Sequence, residues 1–411
     1  MTWLQKLEAH LADWVTSPDV LRATSAAFRQ FDPIVTLGER VVVFRYDDVV
    51  QVLTNDRAFG VREIYAAKMD RTTGSFFLGM EKTPQYDREV AIARAAVRGD
   101  DFARIASIVD DEAATLVERA RQSGGSIDAV DDFSRLIPLR LLESYFGTPG
   151  PDRDTMKQWM RAIFWDIFLN PGDDAAVREG ARVASAELRP YLVALLADRK
   201  KSLASGLRRD DFVGRLLEQQ AAAPSIDDDL ILRNVGGVIV GAVDTLSKAI
   251  AHSLDQLLRR PDALASAQRA LGGDDAGIAA HAFEALRFNP HNPILIRQCH
   301  ADTPVGTGTE HETVVRAGST VVAMTLSAMF DGAVFERPDE FRSDRPAAAY
   351  LHFGRGLHTC FGERINRVVI PRALRALLGL DGLAYREGSS GAIAYDGPFP
   401  ERMPLSFDVA R

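Results

Sequence analysis

The sequence predicts a mainly α-helical protein with small β-sheets, and two observations favour this fold class. Long segments place apolar residues at helical spacing, whereas strand-like patterns are short and few. No Pro-, Gly- or Ser-rich linker and no repeat divides the 411 residues. Although this length usually suggests two or three domains, we therefore expect one domain over residues 1–411, with ample chain to bury a core.

The first part of the chain combines short helices with one strand. Residues 61–80 have mixed polarity and are interpreted as a loop with some helical turns. A helix then begins at Pro84, because proline is favoured in a first turn, and continues to about Val97. Before this loop the pattern predicts amphipathic helices at 3–15 and 19–30, a strand at 38–44 and a helix at 46–53.

Helices dominate the remainder. The longest predicted helix covers 227–258, since Asp227–Asp229 mark its start and Arg259-Arg260-Pro261 its end. Other long helical patterns cover 101–122, 130–146, 153–170 and 176–204. A helix over 276–288, strands within 294–326, an irregular stretch over 330–350, a helix ending near Leu378 and a β-rich tail complete the prediction.

Composition excludes several classes of protein. The formal net charge of −8 argues against a nucleic-acid-binding protein. Residues 1–15 carry Lys6, Glu8 and Asp13 and no long apolar run, so we expect neither a signal peptide nor a membrane anchor. Two cysteines, Cys299 and Cys360, cannot build a disulfide framework. These features predict a cytoplasmic enzyme.

The most informative segment is the glycine-rich loop Leu351–Arg364, which contains Cys360 and precedes a helical pattern. A thiolate is the ligand and nucleophile form of cysteine, and N–H groups at a helix start favour its negative charge. Gly354, Gly356 and Gly362 allow tight bends and close approach to a large flat group. Such a loop suits a cysteine that ligates a haem iron.

Phe353, Gly356, Cys360 and Gly362 match the pattern Phe-x-x-Gly-x-x-x-Cys-x-Gly, and here the chain resembles the cytochrome P450 family of haem-thiolate monooxygenases. The resemblance covers roughly the C-terminal half of the chain. It implies the cytochrome P450 fold, a helical domain around buried haem b, with the Cys360 thiolate as axial iron ligand. Phe353 and the three glycines would line the cofactor, and no reductase would be fused to the domain.

The longest helix carries a second match, Gly241-Ala242-Val243-Asp244-Thr245, with Gly241 and Ala242 in swapped order relative to the commonest form. Mid-helix glycines cost roughly 1 kcal/mol each, which a kink leaving room for a ligand would explain. By resemblance, Ala242 lies beside haem, Thr245 hydrogen-bonds to dioxygen and Asp244 relays protons. The alternative is close helix packing at the glycines, with Thr245 bonding back to its own turn.

Three further matches concern charged residues. Glu284 and Arg287 form Glu-x-x-Arg, which would combine with Arg345 in a structural triad that holds the cysteine loop; alone, such an i, i+3 pair is usually a weak surface salt bridge. Arg297 and His358 match the residues that bind the two haem propionates. Their alternatives are an exposed strand arginine and a surface turn residue.

One match is incomplete. Many relatives carry His-x-x-x-Arg after the 61–80 loop, whereas here Tyr86 stands at the histidine position and Val90 at the arginine position. Tyr86 and Arg88 are therefore the candidates for this propionate contact.

The sequence also argues against other cofactor sites. Structural zinc requires a paired four-ligand spacing, which His352, His358 and Cys360 lack. Neither a c-type haem motif nor a P-loop occurs.

The resemblance also implies an apolar pocket for a small-molecule substrate of modest size. Aromatic residues at helical spacing are more often core than pocket, and Asn292 and Asp166 are candidate polar contacts. The predicted pocket residues are Tyr65, Met69, Phe76, Phe77, Phe164, Trp165, Phe168, Val240, Pro293, Ile294 and Leu295.

The implied reaction is a monooxygenation with O2 and two electrons from a separate ferredoxin or flavodoxin and its reductase, in a monomeric protein. Substrates from secondary metabolism or catabolism are expected. Arg88, Arg355 and Arg364 are candidates to receive an acidic redox partner, with simple solvation as the alternative.

Two alternative functions remain open. A peroxide-driven peroxygenase or an isomerase needs no electrons, but such relatives usually lose the Asp244-Thr245 pair. A non-catalytic haem or gas sensor is the third alternative.

Overall fold

The computed structural model describes residues 18–409, so the helix predicted at 3–15 lies outside the described residues. The chain groups into two compact units. The first comprises residues up to Ile64 together with Ala280–Cys360, and the second comprises Tyr65–Ala279 together with Phe361 to the C-terminus. The expectation of a single haem domain stays a prediction.

The first unit is built around a mixed five-stranded sheet of order β1-β2-β8-β5-β3. Strand β8 pairs parallel to β2 and antiparallel to β5, which makes it the centre of the sheet. The strands are β1 Ile34–Leu37, β2 Arg40–Val43, β3 Phe59–Gly60, β5 Leu295–Cys299 and β8 Thr320–Ala323, with a separate hairpin of β6 Thr303–Val305 and β7 Thr313–Val315. Helices α1 Pro18–Phe31, α2 Tyr46–Thr54 and α13 Thr325–Ala328 lie in this unit.

The second unit is mainly helical, and its longest helix is α10, Asp228–Leu258, which is buried along most of its length. The other helices are α4 Pro84–Ala95, α5 Asp101–Gln122, α6 Leu136–Leu141, α7 Arg153–Leu169, α8 Ala175–Ala204, α9 Phe212–Ala222, α11 Pro261–Arg269 and α14 Glu363–Leu378. Two small sheets are formed by β4 Ser126–Asp128, β9 Ala384–Tyr385 and β12 Pro404–Ser406, and by β10 Ala394–Asp396 and β11 Phe399–Arg402. Helices α3 Arg62–Asp70 and α12 Asp275–Phe288 contribute residues to both units.

Aspartate caps explain where several helices begin. The carboxylate of Asp227 accepts a hydrogen bond from the Leu230 N–H at the start of α10, and Asp152 and Asp211 cap α7 and α9 in the same way. Helix α10 is long and apolar enough to span a membrane, but 72% of its most apolar window is buried within the fold. Core packing therefore accounts for its composition.

The helix predicted over 130–146 is wrong as one element. It is divided into a π-helical turn Ala129–Ser134, the short α6, and a second π-helical turn Leu142–Phe146. Pro138 explains the break before α6, because proline lacks an N–H donor and its ring clashes with the carbonyl four residues earlier, that of Ser134. Helices α9 and α11 and strand β1 were not predicted, and the segment 61–80 is more helical than expected because it contains α3.

Candidate functional site

The loop before Cys360 is held by hydrogen bonds to its own backbone carbonyl groups. The Cys360 N–H donates to the Phe353 carbonyl at 2.9 Å, and the Thr359 hydroxyl donates to the Gly356 carbonyl at 2.9 Å. Gly354 and Gly356 have φ values of +69° and +74°, and a Cβ on Gly356 would lie 2.4 Å from the Leu53 carbonyl oxygen. Glycine is therefore required at position 356, and the loop leaves the Cys360 side chain exposed.

Arg297 and His358 bring two cationic or potentially cationic groups together in the first unit. Arg297 lies in strand β5 and is 3% exposed, and its Nη1 donates to the Ile296 carbonyl at 2.9 Å. Burial, followed by the charge of Arg297, lowers the pKa of His358 to about 3. Two such donors beside each other form an environment suited to carboxylate groups, which fits the predicted propionate role.

Glu284, Arg287 and Arg345 are brought together as the sequence suggests. Both Glu284 and Arg287 have fully buried side chains, joined by two hydrogen bonds of 2.9 and 2.8 Å. The Nε of Arg345 donates to the same carboxylate at 3.2 Å, as does the Tyr350 hydroxyl at 2.9 Å. This pair is therefore not the weak surface salt bridge that its spacing alone would suggest.

Helix α10 combines close packing with open space. A Cβ on Gly237 would lie 2.4 Å from the Phe76 ring, so this glycine is required for packing. A Cβ on Gly241, by contrast, would meet no atom within 4 Å. The Thr245 hydroxyl donates to the Gly241 carbonyl at 2.6 Å, which is the back-bonded alternative considered for this residue.

Asp244 is a buried acid with a nearby countercharge. Its side chain is 5% exposed, and the Arg161 Nε lies 3.6 Å from its Oδ1, which is an ion pair but longer than a hydrogen bond. Burial, the largest influence, raises the pKa of Asp244 to about 6, against the opposing charges of Arg161 and Arg135. A carboxyl group that titrates near neutral pH is suited to proton transfer.

The sequence did not indicate the charged groups around Asp244. Arg161 also donates to Glu401 at 2.9 Å, and Arg135 bonds to the same Glu401 carboxylate. Arg161 and Glu401 are separated by 240 residues, so no local pattern joins them. The only available signal was a charged residue on the helical face that carries Phe164 and Phe168.

The predicted pocket residues differ in burial. Met69, Phe76, Phe77 and Val240 are fully buried, whereas the remaining residues of the set are partly exposed. An aromatic cluster on α7 continues onto the β10–β11 hairpin, since Phe399 packs edge-on against Trp165 at 5.5 Å between ring centroids. Both Asp166 carboxylate oxygens accept from Arg71 at 2.9 and 2.8 Å, so this acid serves an internal ion pair.

Helix α4 separates the two candidates of the incomplete motif. Tyr86 is 4% exposed, whereas Arg88 lies on the exposed face of the helix. Their separation of two residues points them in different directions around an α-helix. Of these two candidates, Tyr86 is therefore the one that can face a buried group.

This combination of a mainly helical fold with an exposed cysteine in a glycine-held loop is that of haem-thiolate enzymes. The chain belongs to the cytochrome P450 family, whose model matches residues 19–272 and 279–379. It is thus a cytochrome P450 monooxygenase, an oxidoreductase with a haem cofactor and a cysteine thiolate ligand.

Relatives and solved structures agree with this assignment. The chain is 26% identical to Cytochrome P450 109 of Bacillus spizizenii, over 88% of this chain and 83% of that protein. It is also 26% identical to the Mycinamicin IV hydroxylase/epoxidase of Micromonospora griseorubida, over 83% and 81%. The fold is similar to that of CalO2, with a TM-score of 0.82 and 23% identity over 96% of this chain and 98% of that chain.

Proposed function

We propose that this enzyme hydroxylates or otherwise oxidises an apolar small molecule, using O2 and electrons from a separate ferredoxin or flavodoxin with its reductase. The observation that carries the proposal is Cys360, whose side chain is exposed at the end of a loop held by Gly354 and Gly356. Its thiolate is the proposed iron ligand of haem b. When bound, the cofactor supplies the oxygen chemistry, and the protein supplies binding and orientation.

Arg297 and His358 are proposed to hold the carboxylates of the cofactor. The His358 imidazole is proposed to donate a ring N–H to one of these carboxylates. Arg297 then supplies the positive charge, in a buried position that strengthens its interaction with an anion. Tyr86 is proposed to replace the usual histidine on α4.

Asp244 and Thr245 are proposed to move protons. Asp244 can both gain and lose a proton near neutral pH because burial raises its pKa to about 6. The Thr245 hydroxyl, which donates to the Gly241 carbonyl at 2.6 Å, can turn to another acceptor at the loss of one neutral hydrogen bond.

The substrate is proposed to be largely apolar because the partly exposed side chains of the predicted pocket are mostly aromatic or aliphatic. Tyr65, Phe164 and Phe168 form a contiguous aromatic surface, with ring centroids 5.4 and 4.9 Å apart. One relative of this chain is named as a steroid C26-monooxygenase and another as a hydroxylase and epoxidase of mycinamicin IV. Hydroxylation or epoxidation of a carbon skeleton is therefore the proposed reaction. The proposed location is the cytoplasm.

The experiment is a screen of compounds for a low-to-high spin shift of the haem-loaded protein, followed by product analysis. Each binding compound is incubated either with a ferredoxin, its reductase and NADPH, or with hydrogen peroxide alone. The proposal expects product in the first reaction, dependent on every electron-transfer component. Product from peroxide at an equal rate would instead support the peroxygenase alternative.

A further inference from the structure

A network of charged side chains joins Asp244 to the C-terminal β10–β11 hairpin within the second unit. The Arg161 guanidinium on α7 lies between two carboxylates, with its Nη1 2.9 Å from Glu401 Oε2 and its Nε 3.6 Å from Asp244 Oδ1. The shorter contact belongs to Glu401. The guanidinium charge is therefore shared unequally, and Glu401 receives the hydrogen bond.

Glu401 is held in place by a second arginine. Arg135, whose side chain is 3% exposed, bonds to Glu401 Oε2 and donates to the Pro400 carbonyl at 2.6 Å. Arg135, followed by Arg161, lowers the pKa of Glu401 to about 2. Glu401 therefore remains a carboxylate throughout the range in which Asp244 titrates.

The hairpin itself is fixed against α10 by a polar face of that helix. Lys248 Nζ donates to the Pro398 carbonyl at 3.0 Å, and the Tyr395 hydroxyl is 2.9 Å from His252 Nε2. Asp244, Lys248 and His252 follow each other at intervals of four residues, so they lie on one face of α10. The position of Glu401 relative to Asp244 is thus set by contacts on both sides of the hairpin.

Only one of the two carboxylate oxygens of Asp244 takes part in this network. Within residues 18–409, its Oδ2 is buried without a hydrogen-bond partner. The charged groups that influence it are Arg161 on α7, Arg135 before α6, Glu401 on β11 and Lys248 on its own helix. Farther out, Asp396 lies 3.5 Å from Arg161, and Asp131 lies near Arg135 and Lys157.

We infer that Glu401 is a positioning residue for Asp244, because it holds the Arg161 guanidinium away from full pairing and so keeps this acid able to take up and release a proton. Without Glu401, Arg161 would be free to form two hydrogen bonds with Asp244, and a fully paired carboxylate is a poor proton carrier. The inference rests on the proposed role of Asp244 in proton transfer.

Two substitutions are expected to move the titration of Asp244 in opposite directions. Glu401→Gln removes a negative charge and weakens the hold on Arg161, so the titration midpoint of Asp244 should fall by roughly one pH unit. Arg161→Gln removes the nearest positive charge, so the midpoint should rise by about one unit or more. A network with no electrostatic effect on Asp244 predicts no such opposition.

The midpoint is measured by infrared difference spectroscopy of the haem-loaded, substrate-free protein, and Asp244→Asn identifies the carboxyl band. Asp396→Asn is the matched control, since it removes a carboxylate of the same hairpin that is 60% exposed and therefore screened by solvent. Circular dichroism checks that each variant is folded. If Glu401→Gln does not fold, Glu401→Asp serves instead, and a smaller downward shift is expected.

An unchanged or raised midpoint in Glu401→Gln, or in Glu401→Asp where that variant replaces it, would overturn the inference, as would a lowered midpoint in Arg161→Gln. The measurement involves no turnover, so its failure is distinguishable from failure of the proposed function. If Asp244→Asn consumed electrons and formed product with normal coupling, the proton role of Asp244 would fail. The infrared result would then still decide whether Glu401 affects the titration of Asp244.

Discussion

Replacement of Glu284 by glutamine tests whether burial makes the Glu284–Arg287 pair costly to break. The carboxylate accepts two hydrogen bonds from Arg287, one each from Arg345 Nε and the Tyr350 hydroxyl, and one from the Arg342 N–H at 2.9 Å. Glutamine keeps one acceptor oxygen but places an NH2 group among donors. It also leaves the fully buried Arg287 charge without a counterion.

The expected cost is about 3–5 kcal/mol, the range found when one partner of a buried ion pair is removed. At roughly 2 °C per kcal/mol for a protein of this size, the melting temperature should fall by about 6–10 °C. Chemical denaturation, followed by circular dichroism, measures the change in the free energy of unfolding directly.

The chain contains a matched control for this substitution. Glu179 and Arg182 have the same i, i+3 spacing and two hydrogen bonds of 2.8 and 2.7 Å, but their side chains are 60% and 62% exposed. Solvent screens this exposed pair, so Glu179→Gln should cost far less stability than Glu284→Gln. Equal losses in the two variants, or a loss below about 1 kcal/mol in Glu284→Gln, would show that burial does not make this pair costly to break.

Three other predictions concern α10 and the cationic pair. Gly241→Ala should stabilise the protein by about 0.5–1 kcal/mol because its Cβ meets open space. Gly237→Ala should destabilise it by about 1–3 kcal/mol because the added Cβ clashes with Phe76. Denaturation curves that rank the two variants in reverse would contradict this prediction. Asp244 has a folded-state pKa of about 6 against an ordinary 3.8, so the folded state holds the proton more strongly. The unfolding free energy of the wild type relative to Asp244→Asn should therefore fall by about 3 kcal/mol as pH rises from about 4 to 6, then level off, and a flat difference across this range would be the contrary result. Arg297→Met should release haem to apomyoglobin at least about tenfold faster, for a loss of about 1.4 kcal/mol or more, while Arg316→Met, at a 74% exposed position, should not; equal release rates would exclude Arg297 as a cofactor contact.

Local signals were sufficient for much of the fold. Asp227 and the apolar pattern after it predicted α10 to within one residue at its start, because capping and amphipathic spacing are encoded within a few neighbouring positions. The boundaries around Pro138 were missed, since a π-helical turn depends on which hydrogen bonds the proline leaves available. Helices α9 and α11 have only 11 and 9 residues, so each offers few turns over which a periodic pattern can be recognised.

In the candidate site, too, local motifs could be predicted from the sequence, whereas contacts made by tertiary packing could not. The cysteine loop and Glu284–Arg287 could be identified because each is a short motif with fixed spacing. The counterions of Asp244 could not, since Arg161 and Glu401 meet it only through the packing of α7 and the C-terminal hairpin against α10. The sequence also did not predict which of these side chains are buried. It is burial that distinguishes Glu284 from Glu179, and Tyr86 from Arg88.

The most direct test of the whole account is the absorption spectrum of the reduced, carbon-monoxide-bound protein, recorded for the wild type and for Cys360→Ala. Thiolate ligation by Cys360 predicts the strongly red-shifted Soret band typical of the family in the wild type and its loss in the variant, with Cys299→Ala unchanged. A band at the shorter wavelength of nitrogen-ligated haem in the wild type, or an unaltered red-shifted band in Cys360→Ala, would contradict the account.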